Sequence, residues 1–192
     1  LAAIFGKKKS ATHDPLEDVE VPSSWFLWGT ALSGLGCILI LHFVFETTWW
    51  MGLIAVVATF FLALVACRAT GESDITPVGA MGKITQLTFG FLAPSKMTTN
   101  LMTAGLTAGA AGSSADLLND LKSGYLLGAN PRQQFIAQFS GIFAGTLVIV
   151  PAFYLIVPDA SVLGGAQWPA PSAQVWAKVA ELLKEGFSAL HP

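Results

Sequence analysis

Long apolar runs without Asp, Glu, Lys or Arg alternate with short polar stretches along this chain. The runs Trp25 to Phe45 and Trp49 to Cys67 are both free of charge. Each is long enough, at about 1.5 Å per residue, to cross a hydrocarbon core of about 30 Å. The polar turn 46–48 between them is so short that the second span must return antiparallel to the first. A third run, 133–157, has the same character. The pattern therefore predicts three transmembrane helices.

The stretch between the second and third runs, Arg68 to Arg132, is rich in Gly, Ala, Thr and Ser. It is too apolar for an ordinary loop and too interrupted for an ordinary transmembrane helix, because Pro94-Ser95-Lys96 separates two apolar arms. Arg68 and Arg132 are both expected on the cytoplasmic side, where Lys and Arg concentrate. A segment that enters and leaves on one side is predicted to be a broken or re-entrant helical pair over 78–113. A cytoplasmic loop or helix is predicted over 114–132.

The two ends of the chain carry the remaining predicted elements. Residues 6–24 are polar and include three consecutive lysines, so they are predicted to form a cytoplasmic loop. Apolar residues recur at helical spacing over 172–190 with Lys and Glu between them. This predicts an amphipathic helix that lies on the membrane surface or caps the bundle. The apolar stretch Leu1 to Phe5 is interpreted as the tail of an earlier helix, so we expect the chain to be part of a larger membrane protein.

Composition supports an integral membrane protein. Hydrophobic residues make up 53% of the chain and charged residues 11%, whereas a soluble domain has about 25% charged residues. The net charge of −2 argues against a nucleic-acid partner, which calls for a basic face. The predicted fold class is an all-α, polytopic helical bundle with broken or re-entrant helices, part of a larger transporter fold in the inner or plasma membrane.

Ionisable side chains and interrupted helices at membrane depth are typical of substrate and ion pathways. Glu72 and Asp74 form a carboxylate pair at a helix break, which suits a proton or cation site; capping of the next helix is the alternative. Asn100 and Thr103 offer polar groups to a substrate, and they equally suit hydrogen bonds between helices. The candidate pathway residues are Glu72, Asp74, Thr76, Asn100 and Thr103.

Other patterns have more general interpretations. Two GxxxG patterns, Gly105 to Gly109 and Gly141 to Gly145, favour close helix packing inside one subunit. His42, inside the first span, is interpreted as a packing residue. No HExxH, CxxC, P-loop or nucleophile-elbow pattern occurs, so the sequence predicts no enzyme, no metal site and no cofactor.

Two longer stretches, ESDITPVGAMGKITQLTFGFLAP and DLLNDLKSGYLLGANPRQQFIAQFSGIFAG, resemble the oligopeptide transporter family, which includes the yellow-stripe-like carriers of metal chelates. The resemblance covers roughly Trp49 to Val157. Members carry a D-L-K…P-R stretch that leads into a span containing Gln and Gly. The matching positions are Asp120, Leu121, Lys122, Gly124, Pro131, Arg132, Gln138, Gly141 and Gly145. Peptide carriers of fungi and plants have K-I-P-P-R where this chain has GANPR, which fits a prokaryotic-type member better.

The resemblance implies secondary uptake of oligopeptides or peptide-like metal chelates, commonly coupled to protons. The implied partners are membrane lipid, the substrate, protons and the remainder of the same transporter. On this hypothesis a gate or structural latch on the cytoplasmic side comprises Asp116, Asp120, Lys122 and Arg132. The alternative is a non-transporting structural or assembly subunit in which the glycines serve packing alone. An intramembrane enzyme is the weakest alternative because no nucleophile and base are paired.

Overall fold

Six α-helices make up most of the structure, a computed structural model that describes residues 19–185. They are α1 (Ser23–Phe43), α2 (Trp49–Ser73), α3 (Val78–Leu92), α4 (Met97–Leu126), α5 (Pro131–Ile156) and α6 (Pro171–Glu185). The described residues contain one 3-10 turn, Ala160–Val162, and no extended strand. The predicted all-α class is confirmed over this range. Most of the predicted loop 6–24 and the end of the predicted helix 172–190 lie outside the described residues.

Three of the helices are long and apolar enough to cross a membrane. They are α1, α2 and α5, with mean hydropathies of 1.7, 2.4 and 2.0 over their most apolar windows. They overlap the three charge-free runs of the sequence. Helix α2 continues past Cys67 to Ser73, where Asp74 adopts a left-handed conformation with φ 59°. The following Pro77 disfavours helical geometry at Thr76, so the chain restarts there as α3.

Helix α4 lies at the centre of the bundle and contacts all five other helices. Its buried face consists of small or short polar side chains, which let neighbouring backbones approach closely. These residues are Thr99, Asn100, Thr103, Ala104, Thr107, Ala108, Ala111, Ala115 and Gly124. By contrast, α5 has no buried residue and α1 buries only Leu41. The apolar surfaces of α1 and α5 thus lie outside the bundle, as a hydrocarbon environment allows.

Helices α3 and α4 form an antiparallel hairpin through Ala93–Lys96, with Pro94 in the connection. The break coincides with the one predicted from the sequence. Helix α4 then runs for 30 residues without interruption, so the predicted boundary between 113 and 114 falls inside a helix. Isolated glycines do not stop α4, because the Ala and Thr positions between them are buried against neighbouring helices. Whether this hairpin spans the membrane or re-enters it stays a prediction.

Helix α6 packs lengthwise against α3 and α4 and does not lie across an end of the bundle. Trp176 fits over Gly82, where an added Cβ would come within 2.6 Å of the indole Cζ2 atom. Leu183 fits over Gly90, with its Cδ1 atom 2.7 Å from such a Cβ. The apolar face of this amphipathic helix thus packs into the glycine notches of α3, and its expected position at the membrane surface or as a cap stays a prediction.

The glycines of the two GxxxG patterns have open space around their Cα atoms. An added Cβ at Gly105, Gly109, Gly141 or Gly145 meets nothing within 4 Å among the described residues. The expectation of close packing at these positions inside the described bundle is therefore wrong. The close approaches occur instead at Gly82 and Gly90, eight residues apart on one face of α3.

The connections of the bundle gather at two ends. At one end, Arg132 Nε donates to the backbone oxygen of Glu20 at 2.7 Å, joining the start of α5 to the segment before α1. The antiparallel packing of α1 and α2 brings the α2–α3 connection to this same end. At the other end, Lys96 Nζ donates to Thr48 Oγ1 at 3.4 Å. This arrangement places Arg68 and Arg132 together, as the predicted orientation requires.

Replacing Gly82 by Ala should displace α6. The added methyl overlaps the Trp176 indole, and overpacking of this kind costs about 1–3 kcal/mol. We expect a lower midpoint of thermal unfolding and faster tryptic cleavage in α6, measured on the complete protein in detergent. Gly79→Ala on the same helix is the matched control, because a Cβ there meets nothing within 4 Å. Equal stability of the two variants would contradict the packing of α6 on α3.

The orientation of the chain is testable with single cysteines on an otherwise cysteine-free background. Ser123 and Ser161 are both exposed, and they lie on opposite sides of the 26-residue helix α5, which spans about 39 Å. We expect Ser123→Cys to react with an impermeant maleimide only from the cytoplasm and Ser161→Cys only from outside. Labelling of both positions from the cytoplasm would overturn this topology.

Candidate functional site

Threonines line the contact between the central helix α4 and its neighbours. Thr59 Oγ1 and Thr107 Oγ1 share a hydrogen bond of 2.9 Å between α2 and α4. Thr47 Oγ1 and Thr99 Oγ1 lie 3.3 Å apart at the end of the bundle where α4 begins. Thr103 Oγ1 donates to the Thr99 backbone oxygen at 2.8 Å within α4. The first two pairs join neighbouring segments to α4, whereas the Thr103 hydroxyl bonds within α4 and makes no bond between helices among the described residues.

A chain of side-chain hydrogen bonds connects α4 to α3 and α3 to α6. Asn100 Nδ2 donates to the backbone oxygen of Gln86 at 2.6 Å, and Gln86 Nε2 donates to the backbone oxygen of Trp176 at 3.0 Å. The residues are 3% and 0% exposed respectively. Burial of a polar group costs free energy unless it is hydrogen-bonded, so these donors require their carbonyl partners. Asn100 thus ties three helices together through Gln86.

Glu72, Asp74 and Thr76 lie at the connection between α2 and α3. Arg68 Nε donates to Glu72 Oε1 at 2.9 Å, with the two side chains 82% and 67% exposed, so the pair contributes only about 0–1 kcal/mol to stability. Asp74 ends α2, and its backbone N–H donates to the Thr70 oxygen at 2.8 Å. Thr76 Oγ1 accepts from Thr70 Oγ1 at 3.0 Å. The two carboxylates are exposed and face away from the bundle core.

The five predicted pathway residues do not form one site in this structure. Asn100 and Thr103 lie near the start of α4, beside the turn that precedes α2. Glu72 and Asp74 lie at the far end of α2, which has 25 residues and so extends about 37 Å. If the carboxylates of Glu72 and Asp74 are coupled to Asn100 and Thr103, a structural change must therefore pass along the length of the bundle. The contact between α2 and α4, which threonines line, runs in that direction.

Asp120, a residue of the predicted latch, joins α4 to α5. Gln138 Nε2 donates to a carboxylate oxygen of Asp120, and Gln134 Nε2 donates to its backbone oxygen. Both glutamines belong to α5, so these contacts hold the start of α5 against the last turns of α4. Gly124 gives Gln134 the room to reach, because an added Cβ would lie 2.6 Å from the Gln134 Cδ atom.

The other three predicted latch residues, Asp116, Lys122 and Arg132, lie in the last turns of α4 or at the start of α5. Asp116 is exposed one turn earlier on α4. Lys122 Nζ lies 5.5 Å from the centre of the Tyr125 ring, a cation–π geometry. Arg132 bonds to the backbone before α1, as described above. Asp120 thus joins α4 to α5 through the amides of Gln134 and Gln138.

The GANPR stretch has a direct structural explanation. Gly128 adopts φ 77° in the turn after α4, and Asn130 caps α5 by accepting from the backbone N–H of Arg132 at 2.9 Å. Pro131 occupies the first turn of α5, where its missing N–H has no cost. The Asn-Pro pair therefore starts the third span.

Gln86 and Gln134 were missed by sequence reasoning. Gln86 lies in α3 among apolar and small residues, and a single polar residue in a helix does not reveal its partners. Gln134 has a clearer signal, since it precedes Gln138 by four residues and thus lies on the same face of α5. Both residues have a side-chain oxygen that is buried without a partner within the described range.

An apolar groove opens between α1, α2 and α4, with a volume of about 550 Å³. Its walls include Phe26, Phe60 and Leu118, and Thr59 is among its few polar residues. Nothing in it suits recognition of a charged cargo. Within residues 19–185, no three His, Cys, Asp or Glu side chains come together in a set able to hold a metal ion.

The sequence profile of the oligopeptide transporter family matches residues 3–190. The chain belongs to this family. The match is wider than the region on which the resemblance was first recognised, and it includes α1 and α6. Membership agrees with the predicted absence of enzyme activity, and together with the three candidate spans it confirms an integral membrane protein.

Similar family members span several kinds of carrier. The chain is 32% identical over 162 residues to a Saccharomyces cerevisiae protein named as a candidate oligopeptide transporter, covering 81% of this chain and 22% of that protein. It is 31% identical over 199 residues to the maize iron-phytosiderophore transporter yellow stripe 1, covering 96% of this chain and 29% of the relative. A rice protein named a probable metal-nicotianamine transporter is 31% identical over 150 residues, covering 76% of this chain and 21% of the relative. The chain thus spans about a quarter of the length of these family members.

Replacing Gly124 by Ala should open the latch of this family member. The methyl group displaces the Gln134 amide and weakens its bond to Asp120, with a cost of about 1–3 kcal/mol. We expect faster hydrogen exchange at the start of α5 in the complete protein. Gly141→Ala on α5 is the control, since an added Cβ there meets nothing within 4 Å. Unchanged exchange in Gly124→Ala would contradict the latch geometry.

Proposed function

We propose that this chain is part of a secondary membrane transporter that imports oligopeptides or peptide-like metal chelates. The family match over residues 3–190 carries this proposal. The relatives are named as carriers of oligopeptides, iron-phytosiderophore and metal-nicotianamine. These cargoes share amino and carboxylate groups on a short flexible backbone, so one type of polar pathway suits them all. The other proposed partners are membrane lipid, protons and the remainder of the transporter.

The broken helices around α4 support a pathway role. The chain leaves helical geometry at Asp74–Pro77 and again at Ala93–Lys96, so α3 is a 15-residue helix between two breaks. In secondary transporters, interrupted helices supply unpaired backbone groups to substrate and ions. Asn100 and Thr103, just after the second break, are proposed to contact the pathway when the α3–α4 hairpin moves.

Glu72 and Asp74 are the proposed coupling carboxylates. They are exposed at the first break, so solvent protons reach them freely. Arg68 Nε donates to Glu72 Oε1 at 2.9 Å, so a movement of this end of α2 would separate the pair and free the Glu72 carboxylate for another partner. The bundle end that carries them also carries Arg132 and the segment before α1. We therefore assign proton exchange to that end, on the cytoplasmic side.

Asp120 is proposed to act as the latch on the same side. Its contacts with Gln134 and Gln138 hold α4 against α5. If α5 moves relative to the rest of the bundle during transport, these contacts break and reform. Asp116, Lys122 and Arg132 surround this contact and are proposed to orient it.

The alternative, a structural subunit without transport activity, accounts for the packing residues alone. The hydrogen bonds of Thr103 and Asn100 favour the structural subunit, because both side chains are buried where helices pack together. A transport measurement on the complete protein separates the two functions, because a structural subunit gives sealed proteoliposomes with no uptake.

Uptake into proteoliposomes should depend on the proton gradient. One pH unit is worth about 1.4 kcal/mol per proton, so coupling to one proton gives about tenfold more accumulation per unit. We expect Glu72→Gln or Asp74→Asn to abolish this dependence for labelled peptide or ferric chelate without lowering protein abundance. Asn tolerates the left-handed conformation of residue 74, so the second variant removes charge without backbone strain.

Glu181→Gln serves as the control for these variants. Glu181 lies on α6, where Lys178 Nζ donates to its Oε2 at 2.8 Å and holds the pKa of its carboxyl below the usual range. Its side chain is 41% exposed on α6, outside the two helix breaks, and its replacement should leave the pH dependence intact. Unchanged pH dependence in both Glu72→Gln and Asp74→Asn would exclude them from proton coupling.

A further inference from the structure

Two buried side-chain oxygens lie unpartnered where α3, α4 and α6 meet. They are Gln86 Oε1 and Asn100 Oδ1, in residues 0% and 3% exposed. An unpaired buried carbonyl costs about 1–3 kcal/mol. Both residues belong to the same hydrogen-bond chain, since Asn100 Nδ2 donates to the backbone of Gln86. The two oxygens therefore belong to residues of one hydrogen-bonded chain that joins α3, α4 and α6.

The orientation of both amides is determined by their partners. Asn100 Nδ2 faces the Gln86 backbone oxygen, and Gln86 Nε2 faces the Trp176 backbone oxygen. A backbone oxygen only accepts hydrogen bonds, so exchanging nitrogen and oxygen in either amide would place two acceptors against each other. The side-chain oxygens are thus the groups left without a donor.

Two nearby hydroxyl protons are already committed. Thr85 Oγ1 donates to the Met81 oxygen at 3.1 Å, and Thr103 Oγ1 donates to the Thr99 oxygen at 2.8 Å. Lys96, four residues before Asn100 on α4, donates to Thr48. Acceptors are therefore in surplus around Asn100. A water molecule would supply two donors but would need donors for its own lone pairs. A cation is coordinated by oxygens alone.

We propose that Gln86 Oε1 and Asn100 Oδ1 are ligands of a small monovalent cation bound between α3, α4 and α6. Neutral carbonyl oxygens coordinate Na⁺ and K⁺ in membrane proteins, where carbonyl dipoles replace the hydration shell. The hydroxyl lone pairs of neighbouring threonines add further oxygen ligands. The bound cation links the α3–α4 hairpin to α6 and satisfies both buried oxygens.

The test compares the thermal unfolding of the complete protein in detergent with NaCl, KCl or N-methyl-D-glucamine chloride at equal ionic strength. We expect Na⁺ or K⁺ to raise the midpoint saturably by about 5 °C over the organic cation. Gln86→Met and Asn100→Leu retain approximate side-chain volume but remove the oxygens, and each should abolish this difference. Thr85→Val, a buried neighbour whose hydroxyl bonds within its own helix, should retain it.

Asn100→Asp gives a prediction of opposite sign. It keeps an oxygen at the site and adds a negative charge, so the half-saturating cation concentration should fall about tenfold or more. Identical midpoints of the wild-type protein in all three salts would overturn the proposal even if the Gln86 and Asn100 variants fail to fold. A cation effect that persists in Gln86→Met and Asn100→Leu would also overturn it and assign these oxygens to water.

The inference goes beyond the proposed import of peptides or chelates, because it assigns to the bundle a ligand other than the cargo. Binding is measured without transport. Failure of uptake with intact cation binding therefore counts against the transport function alone, and the reverse result counts against the cation site alone.

Discussion

The close packing of the central helix α4 supports the rest of the structure. Its buried positions are Ala, Gly, Thr and Asn, so α2, α3 and α6 all approach its backbone. In a membrane, association of helices depends mainly on such van der Waals contact, and a hydrogen bond between helices contributes only about 0.6 kcal/mol on average. The Thr59–Thr107 pair therefore aligns the helices, while the small side chains provide most of the contact.

Close packing at small residues also holds α3 and α6 together. Gly82 and Gly90 receive Trp176 and Leu183, and Gln86 between them bonds to the α6 backbone. Asn100 connects this unit to α4. A movement of α6 is thus transmitted to the first turns of α4 through two amides. The exposed carboxylates of Glu72 and Asp74 lie at the first helix break, outside this hydrogen-bonded chain.

At the opposite end of α4, contacts between helices are fewer and more polar. Helix α5 meets α4 through Asp120, Gln134 and Gln138, and it buries no residue of its own. A short polar contact of this kind holds two spans together with less free energy than a long apolar one. The difference between the tightly packed α2–α3–α4–α6 group and the peripheral α5 supports the proposed movement of α5 relative to that group.

The sequence alone predicted the three spans, the helix break at Pro94 and the family. Each rests on a local property: the absence of charged residues, the chemistry of proline, and the spacing of the D-L-K…P-R residues. The sequence did not decide the position of α6, since its apolar face fits either a membrane surface or another helix. In the structure, α6 packs against another helix, because Gly82 and Gly90 of α3 leave room for Trp176 and Leu183 of α6 at the matching spacing. Likewise, the residues predicted to share a pathway were separated by the length of α2. The unpaired oxygens of Gln86 and Asn100 became visible only when three helices met, because burial and hydrogen-bond partners arise from contacts between distant parts of the chain.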